Sequence, residues 1–185
     1  MSRAPNAPPA HEGASVPAKR PRILSSAHLA EGPHAELSEL EFGLIIAHNA
    51  FGRWVARCMA AAGGLELAVT DVLVLHHVHH RHRGKKLADI GFTLNCEDIH
   101  VINYSVKKLL AMKLVRGEKI GKEVFYSATE SGVSLIDRFR AVRESCLLSS
   151  VQGDMADREA LSDIARRLRV LSGLYDQAAR AASSL

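Results

Sequence analysis

Five of the ten histidines fall within seven residues, as His76, His77, His79, His80 and His82. On a helix His76 and His80 are spaced i, i+4 and share a face, and two imidazoles so placed can hold Zn²⁺ or another borderline metal. A third ligand would come from His100 or a cysteine. No Cys or carboxylate stands at a recognised ligand spacing, however, and imidazoles near a helix C-terminus also interact favourably with its carbonyl dipole. The reading taken is no metal and no cofactor, with a metal sensor built on the His76–His82 cluster (His76 and His80 as ligands) kept as an alternative. The three cysteines, Cys58, Cys96 and Cys146, are widely spaced and odd in number, which predicts reduced thiols. Cys96 precedes a helix start, where the helix field favours a thiolate while Glu97 and Asp98 oppose it, so a redox switch there stays open. There is no P-loop, no G-x-G-x-x-G and no H-E-x-x-H, and no enzyme is expected.

A second set of residues does a different kind of chemistry. His100, Asn103, Tyr104, Lys107, Lys108 and Ala111 fall on one side of a helical stretch whose other side is Ile99, Ile102, Val106 and Leu109. One face packs while the other carries donors and cations, a division that suits a helix lying in the major groove. Asn103 can read adenine bidentately, and the lysines serve phosphate or guanine. Thr93 and Asn95 in the preceding turn, and Lys119 and Lys122 in a basic hairpin turn after it, complete the candidate DNA-binding set.

The elements that must position these residues follow from the pattern around them. Lys86 to Phe92 reads as a short helix, with Leu87, Ile90, Phe92 and Leu94 turned inward, and Thr93 to Cys96 as a tight turn. Glu97 to Leu114 is the longer helix. A hairpin follows, Val115 to Glu118 and Glu123 to Thr129, turning at Lys119 to Lys122 on Gly121. Upstream, Leu37, Leu40, Leu44, Phe51, Val55, Cys58 and Ala62 mark a helix that Gly63-Gly64 stops. Thr70 or Asp71 caps a helix over 72–82. Downstream, Thr129 or Ser131 caps a helix from Val133 to Leu148. Ser149 to Gly153 is a linker. The last helix, about Asp157 to Ala181, carries Leu161, Ile164, Leu168, Leu171, Tyr175 and Ala178 in alternating steps of three and four, the pattern of an a/d seam between two chains.

Charge is segregated in the same way. Residues 81–123 carry ten basic and five acidic groups, whereas residues 36–80 carry two and five. The positive excess therefore coincides with the helix-turn-helix and hairpin, as a phosphate-binding face requires. All six prolines lie in residues 1–35, which predicts a disordered tail in which Lys19-Arg20-Pro21-Arg22 is a basic cluster. No apolar run approaches the ~18 residues that span a bilayer, and no signal peptide is read, so a cytoplasmic protein without membrane contact is expected.

In element order from Leu37 to Leu148 the sequence resembles the MarR family of winged helix-turn-helix regulators. The resemblance rests on Leu109-Leu110-Ala111-Met112-Lys113-Leu114-Val115 and on Glu123 to Gly132, which closes in Thr129-Glu130-Ser131-Gly132. The family usually has glycine where Lys113 stands. Its wing often carries an Asp-x-Arg pair where this chain has Ile120-Gly121-Lys122, and the short wing resembles ArsR-type wings; the chain reads as a divergent branch. The resemblance implies dimers joined through terminal helices, and release of DNA by a small aromatic ligand or an oxidant. An effector pocket is placed where the first helix, the 72–82 helix and the helix after the wing converge, with Trp54 and His76 as candidate lining.

The expected protein is mainly α with a small β-hairpin wing. It has a tail over 1–35, an N-terminal dimerisation helix over 36–62, a winged helix-turn-helix over 65–132 and C-terminal dimerisation helices over 133–185. It is expected to be a homodimeric, sequence-specific DNA-binding transcriptional regulator, a repressor by preference. Its recognition helix, about 97–114, would enter the major groove of double-stranded DNA, and its wing, 116–123, would lie on the backbone. A winged-helix module for protein–protein contact is the alternative from another class.

Overall fold

A computed structural model describes residues 35–64, 66–151 and 157–185. The predicted tail, the Lys19–Arg22 cluster and the last two residues of the predicted linker lie outside the described residues. Six α-helices and one hairpin are described, with short 3₁₀ turns at His80–His82 and Leu148–Ser150. The helices are α1 (Ala35–Ala61), α2 (Val69–His79), α3 (Leu87–Thr93), α4 (Ile99–Ala111), α5 (Glu130–Cys146) and α6 (Arg158–Ala182). The strands β1 (Val115–Ile120) and β2 (Glu123–Ala128) pair antiparallel, from Val115 opposite Ala128 to Ile120 opposite Glu123. The chain divides into two compact units between His48 and Asn49, inside α1, and the second unit, Asn49–Leu185, holds the rest of the elements.

The core of that unit is built from the apolar stripes that the sequence marks. Val55, Cys58, Met59 and Ala62 meet Val72, Val74, Leu75 and Val78 of α2. Ile90, then Ile102, Val106 and Leu109 of α4, and Leu135, Ile136 and Phe139 of α5 complete it. Each such aliphatic side chain, once buried, contributes about 1.5–3 kcal/mol, so this cluster is what holds α4 in place.

Three helices stop in the same way. After α1, Gly63 takes φ 98°, its N–H donates to the Ala60 carbonyl, and the Gly64 N–H donates to Met59. After α3, Asn95 takes φ 49°, donates to Phe92, and Cys96 donates to Gly91. After α4, Lys113 takes φ 59°, donates to Leu110, and Leu114 donates to Leu109. Each is a Schellman close, in which a left-handed residue lets two N–H groups satisfy carbonyls left over at the helix end. Glycine fits that residue best and asparagine next. Lysine at position 113 pays the Cβ clash, about 1–2 kcal/mol.

α4 and α5 are tied at the position of the Thr-x-x-Gly close. The Thr129 N–H donates to the Leu114 carbonyl at 3.0 Å. The Thr129 hydroxyl donates to the Lys113 carbonyl at 2.7 Å and accepts the Gly132 N–H at 3.1 Å, capping α5. A Cβ at Gly132 would sit 2.1 Å from the Leu114 oxygen, so only glycine lets the two backbones approach.

Several boundaries differ from the sequence reading. α2 begins at Val69 with Ala68 as its cap. Thr70 and Asp71 lie inside the first turn, and Asp71 accepts the Ala68 N–H at 2.9 Å, the work of an N3 acid rather than of a cap. α4 is shorter than 97–114 because the Asp98 carboxylate accepts the His100 N–H at 2.8 Å and starts the helix there, while Lys113 reverses the chain. Phe92 is 88% exposed rather than turned inward, because Leu87, Ile90 and Leu94 follow one face and Phe92 stands off it. Ile99, the first residue of α4, sits at the edge of the packed face and is exposed. Leu37, Leu40 and Phe51 of α1 are exposed too. The hairpin turn has two residues, Gly121 and Lys122, and Gly121 takes φ 63°, a first-position glycine as in type II′ turns. Lys119 is therefore in β1, opposite Val124.

Candidate nucleic-acid interface

α4 buries Ile102, Ser105, Val106 and Leu109, which fixes what it turns outward. His100, Tyr104, Lys107 and Ala111 are exposed on the opposite side, Tyr104 at 71%, and Asn103 is half-buried at its margin. Next to this face in sequence, Lys119 and Lys122 are exposed on the hairpin. Arg116 is also exposed on β1, its Nε donating to Ser127 Oγ at 3.1 Å. Lys85, before α3, exchanges both backbone hydrogen bonds with Tyr126, at 2.9 and 2.8 Å, and so lies along the free edge of β2. The periodicity of residues 83–86 is too short to signal this bridge, and the sequence reading missed it.

Lys108 has a different task from its neighbour Lys107. Its Nζ donates to Asp71 Oδ2 at 2.8 Å and to the Glu66 carbonyl. Asp71 is only 2% exposed. The hydrogen bond to that carboxylate holds the Lys108 pKa above the usual lysine value, so the ammonium stays charged. An ionised carboxylate at such depth needs its cation, and Lys108 is expected on the DNA face but is found locking α4 to the start of α2. A four-carbon stem on the margin of a helix reaches either way, and only the position of Asp71 decides.

The turn residues Thr93 and Asn95 are exposed. Asn95 has a structural task as the left-handed close of α3, and its Nδ2 donates to Ser172 Oγ of α6 at 3.3 Å. Cys96 is half-buried and its thiol donates to the Asp98 carbonyl at 3.5 Å. Cys58 is buried against the Phe139 carbonyl, and burial pushes its thiol pKa up.

The histidine cluster lies at the C-terminal end of α2. α2 ends at His79 with His80 as its C-cap, whose N–H still donates to the His76 and His77 carbonyls before the chain turns extended (φ −60°, ψ 127°). His76 Nδ1 donates to the Val72 carbonyl at 2.9 Å, and its ring meets Phe139 edge-on with centroids 4.8 Å apart. Burial lowers the His76 pKa, against the opposing pull of that hydrogen bond. Among the described residues, no group of three or more His, Cys, Asp or Glu side chains is arranged to hold a metal ion. His76 instead lines an open cleft of roughly 550 Å³ with Leu73, His77, His79, His80, Arg81, Leu94 and Arg140. His77 Nε2 is buried there without a hydrogen-bond partner. Trp54 packs against the core and does not line this cleft.

Comparison with known proteins agrees with this architecture. Residues 67–132 match the family described as winged helix DNA-binding domain. No curated protein matches the sequence. Among solved structures, a MarR family transcriptional regulator from Rhodococcus sp. RHA1 is similar at TM-score 0.60 and 18% identity, over 73% of this chain and 93% of that one. A MarR family regulator from Neisseria meningitidis is similar at TM-score 0.59 and 16% identity, over 77% and 95%. BpsR from Bordetella bronchiseptica, whose DNA binding is regulated by 6-hydroxynicotinic acid, is similar at TM-score 0.51 and 20% identity, over 69% and 91%. Among the described residues, no helix is long and apolar enough to cross a membrane. Residues 67–132 thus form a winged helix, within the fold seen in these MarR family structures.

Proposed function

We propose that the chain is a homodimeric, sequence-specific DNA-binding transcriptional regulator acting as a repressor. The observation that carries this reading is the outward face of α4. Its side chains, His100, Tyr104, Lys107 and the half-buried Asn103, are held by a core that leaves them free to meet base edges and phosphates. Lys119 and Lys122 of the wing serve the backbone beside it. Thr93 and Asn95 lie at the rim, and Lys108 acts through α4 rather than on DNA. α6 supports the dimer: Leu161, Ile164 and Leu168 of its seam are exposed in this chain. Two recognition helices would then meet half-sites about one helical turn apart.

An effector reading rests on the cleft at His76, whose imidazoles and Arg140 suit a small organic anion. The regulation of BpsR by an aromatic carboxylate supports that ligand class here.

Selection of fragments from the source genome at low salt, followed by titration, tests the function. The expected result is one or a few imperfect palindromes, bound with an affinity that falls steeply as salt rises. Failure to retain any fragment at low salt would turn the reading toward a protein-contact module.

A further inference from the structure

The bridge between Lys85 and Tyr126 has a consequence for the side chains on either side of it. Its antiparallel register places Lys86 opposite Phe125, with Glu123 two residues further on the same face of β2. Lys86 Nζ lies 2.6 Å from Glu123 Oε2 and 5.5 Å from the centre of the Phe125 ring. Gly84 leaves room for this arrangement, since a Cβ there would stand 3.0 Å from the Phe125 Cβ. Lys86 is also the N-cap residue of α3, and Glu123 is the first residue of β2 after the turn that carries Lys122. One ion pair over one ring therefore joins the base of the helix-turn-helix to the tip of the wing.

We propose that Lys86, Glu123 and Phe125 form a strut that sets the position of the wing against the helix-turn-helix, so that Glu123, an acid beside the phosphate-facing lysines, strengthens DNA binding. Glu123 and Lys86 are positioning residues in this account. It rests on the DNA-binding reading above. The wing turn has no acid of its own in Ile120-Gly121-Lys122, and Glu123 supplies one from the next position, paired across the sheet instead of along the strand.

The sign of the effect separates a strut from simple charge. A carboxylate near phosphates repels them, so on charge alone Glu123→Gln tightens binding. For a strut, Glu123→Gln weakens binding, by about threefold as expected for an exposed ion pair.

The test uses the full chain and a duplex selected from a random-sequence pool on the wild-type protein. Glu123→Gln is measured in the wild-type background and again with Lys86→Gln. The expected result is weaker binding in the first background and unchanged or tighter binding in the second, where no strut remains to be lost. Tighter binding in both backgrounds overturns the proposal. A second arm needs no DNA: Lys86→Gln should speed tryptic cleavage after Lys119 and Lys122 while the melting temperature stays within about 2 °C, as for a surface substitution. Unchanged cleavage also overturns it. If the wild-type chain retains no duplex, the DNA-binding reading fails while the cleavage arm still decides whether the strut exists.

Discussion

The body formed by α2 to α5 and the helix α6 treat the same kinds of residue in opposite ways. In the body, leucines, isoleucines and valines at helical spacing are buried, and two polar groups among them are answered: Asp71 by Lys108 and the Ala68 N–H, Thr129 by Lys113 and Gly132. In α6 an equally regular stripe leaves Leu161, Ile164 and Leu168 exposed and Leu171 half-buried, and the ion pairs of Asp163 with Arg166 and Arg167 run along the helix instead of tying it to a neighbour. Exposed pairs of that kind are screened by solvent and add little to stability. The difference teaches that periodicity announces an apolar face but not who covers it. The body covers its own; the dimer proposed above would cover α6.

The contrast can be broken or sharpened by substitution. The largest expected effect is Gly132→Ala, which drives a Cβ into the Leu114 carbonyl. A loss of roughly 4 kcal/mol or more, read by urea unfolding, is expected, and a loss under about 1 kcal/mol would show that the α4–α5 junction yields. Next is the pair of adjacent lysines. Lys108→Ala leaves the Asp71 carboxylate buried without its cation and should cost about 3 kcal/mol of stability. Lys107→Ala should leave stability within about 0.5 kcal/mol while weakening DNA binding and flattening its salt dependence. Equal behaviour of the two would dissolve the distinction drawn between them.

Leu168→Glu tests the other region. Sedimentation should show the dimer dissociating with a constant raised by about 100-fold, as for a charge set into an apolar seam, with the melting of the monomer's core little changed. A monomeric wild-type chain at tens of micromolar would leave α6 without its proposed partner. The smallest effect is a gain: Lys113→Gly relieves a left-handed residue and should stabilise the body by about 1 kcal/mol. A destabilised Lys113→Gly variant would mean that the lysine side chain earns its place through contacts outweighing its strain.

Much of this was legible from residue spacing. Ile102, Val106 and Leu109 gave the inner face of α4, His100 and Lys107 its outer face, Gly63-Gly64 the end of α1 and Gly121 the hairpin turn. Those signals are local, and local periodicity is what sequence displays. What could not be read depends on long-range approach. Lys108 looked like Lys107 until Asp71, 37 residues earlier, was placed beside it. Phe92 looked like core because it is apolar, yet it lies off the face set by Leu87 and Ile90. His76 and His80 have the right interval for a metal and both line the cleft at the end of α2, but among the described residues no third ligand is grouped with them. The Thr129–Gly132 close was visible as a motif; its reason, the near contact of Gly132 with Leu114, was not.

That close also has a mechanical meaning. α5 is 17 residues long, about 25 Å from end to end, and its first turn is knotted to the last turn of α4 through Thr129, Lys113 and Leu114. Helices are stiff compared with the loops between them. A lever of that length, hinged at its short end, turns a displacement of about 2 Å at Cys146 into a rotation of roughly 5° at the knot. The recognition helix would be steered from the far end of α5, with the core side chains Leu135, Ile136 and Phe139 moving along with the lever.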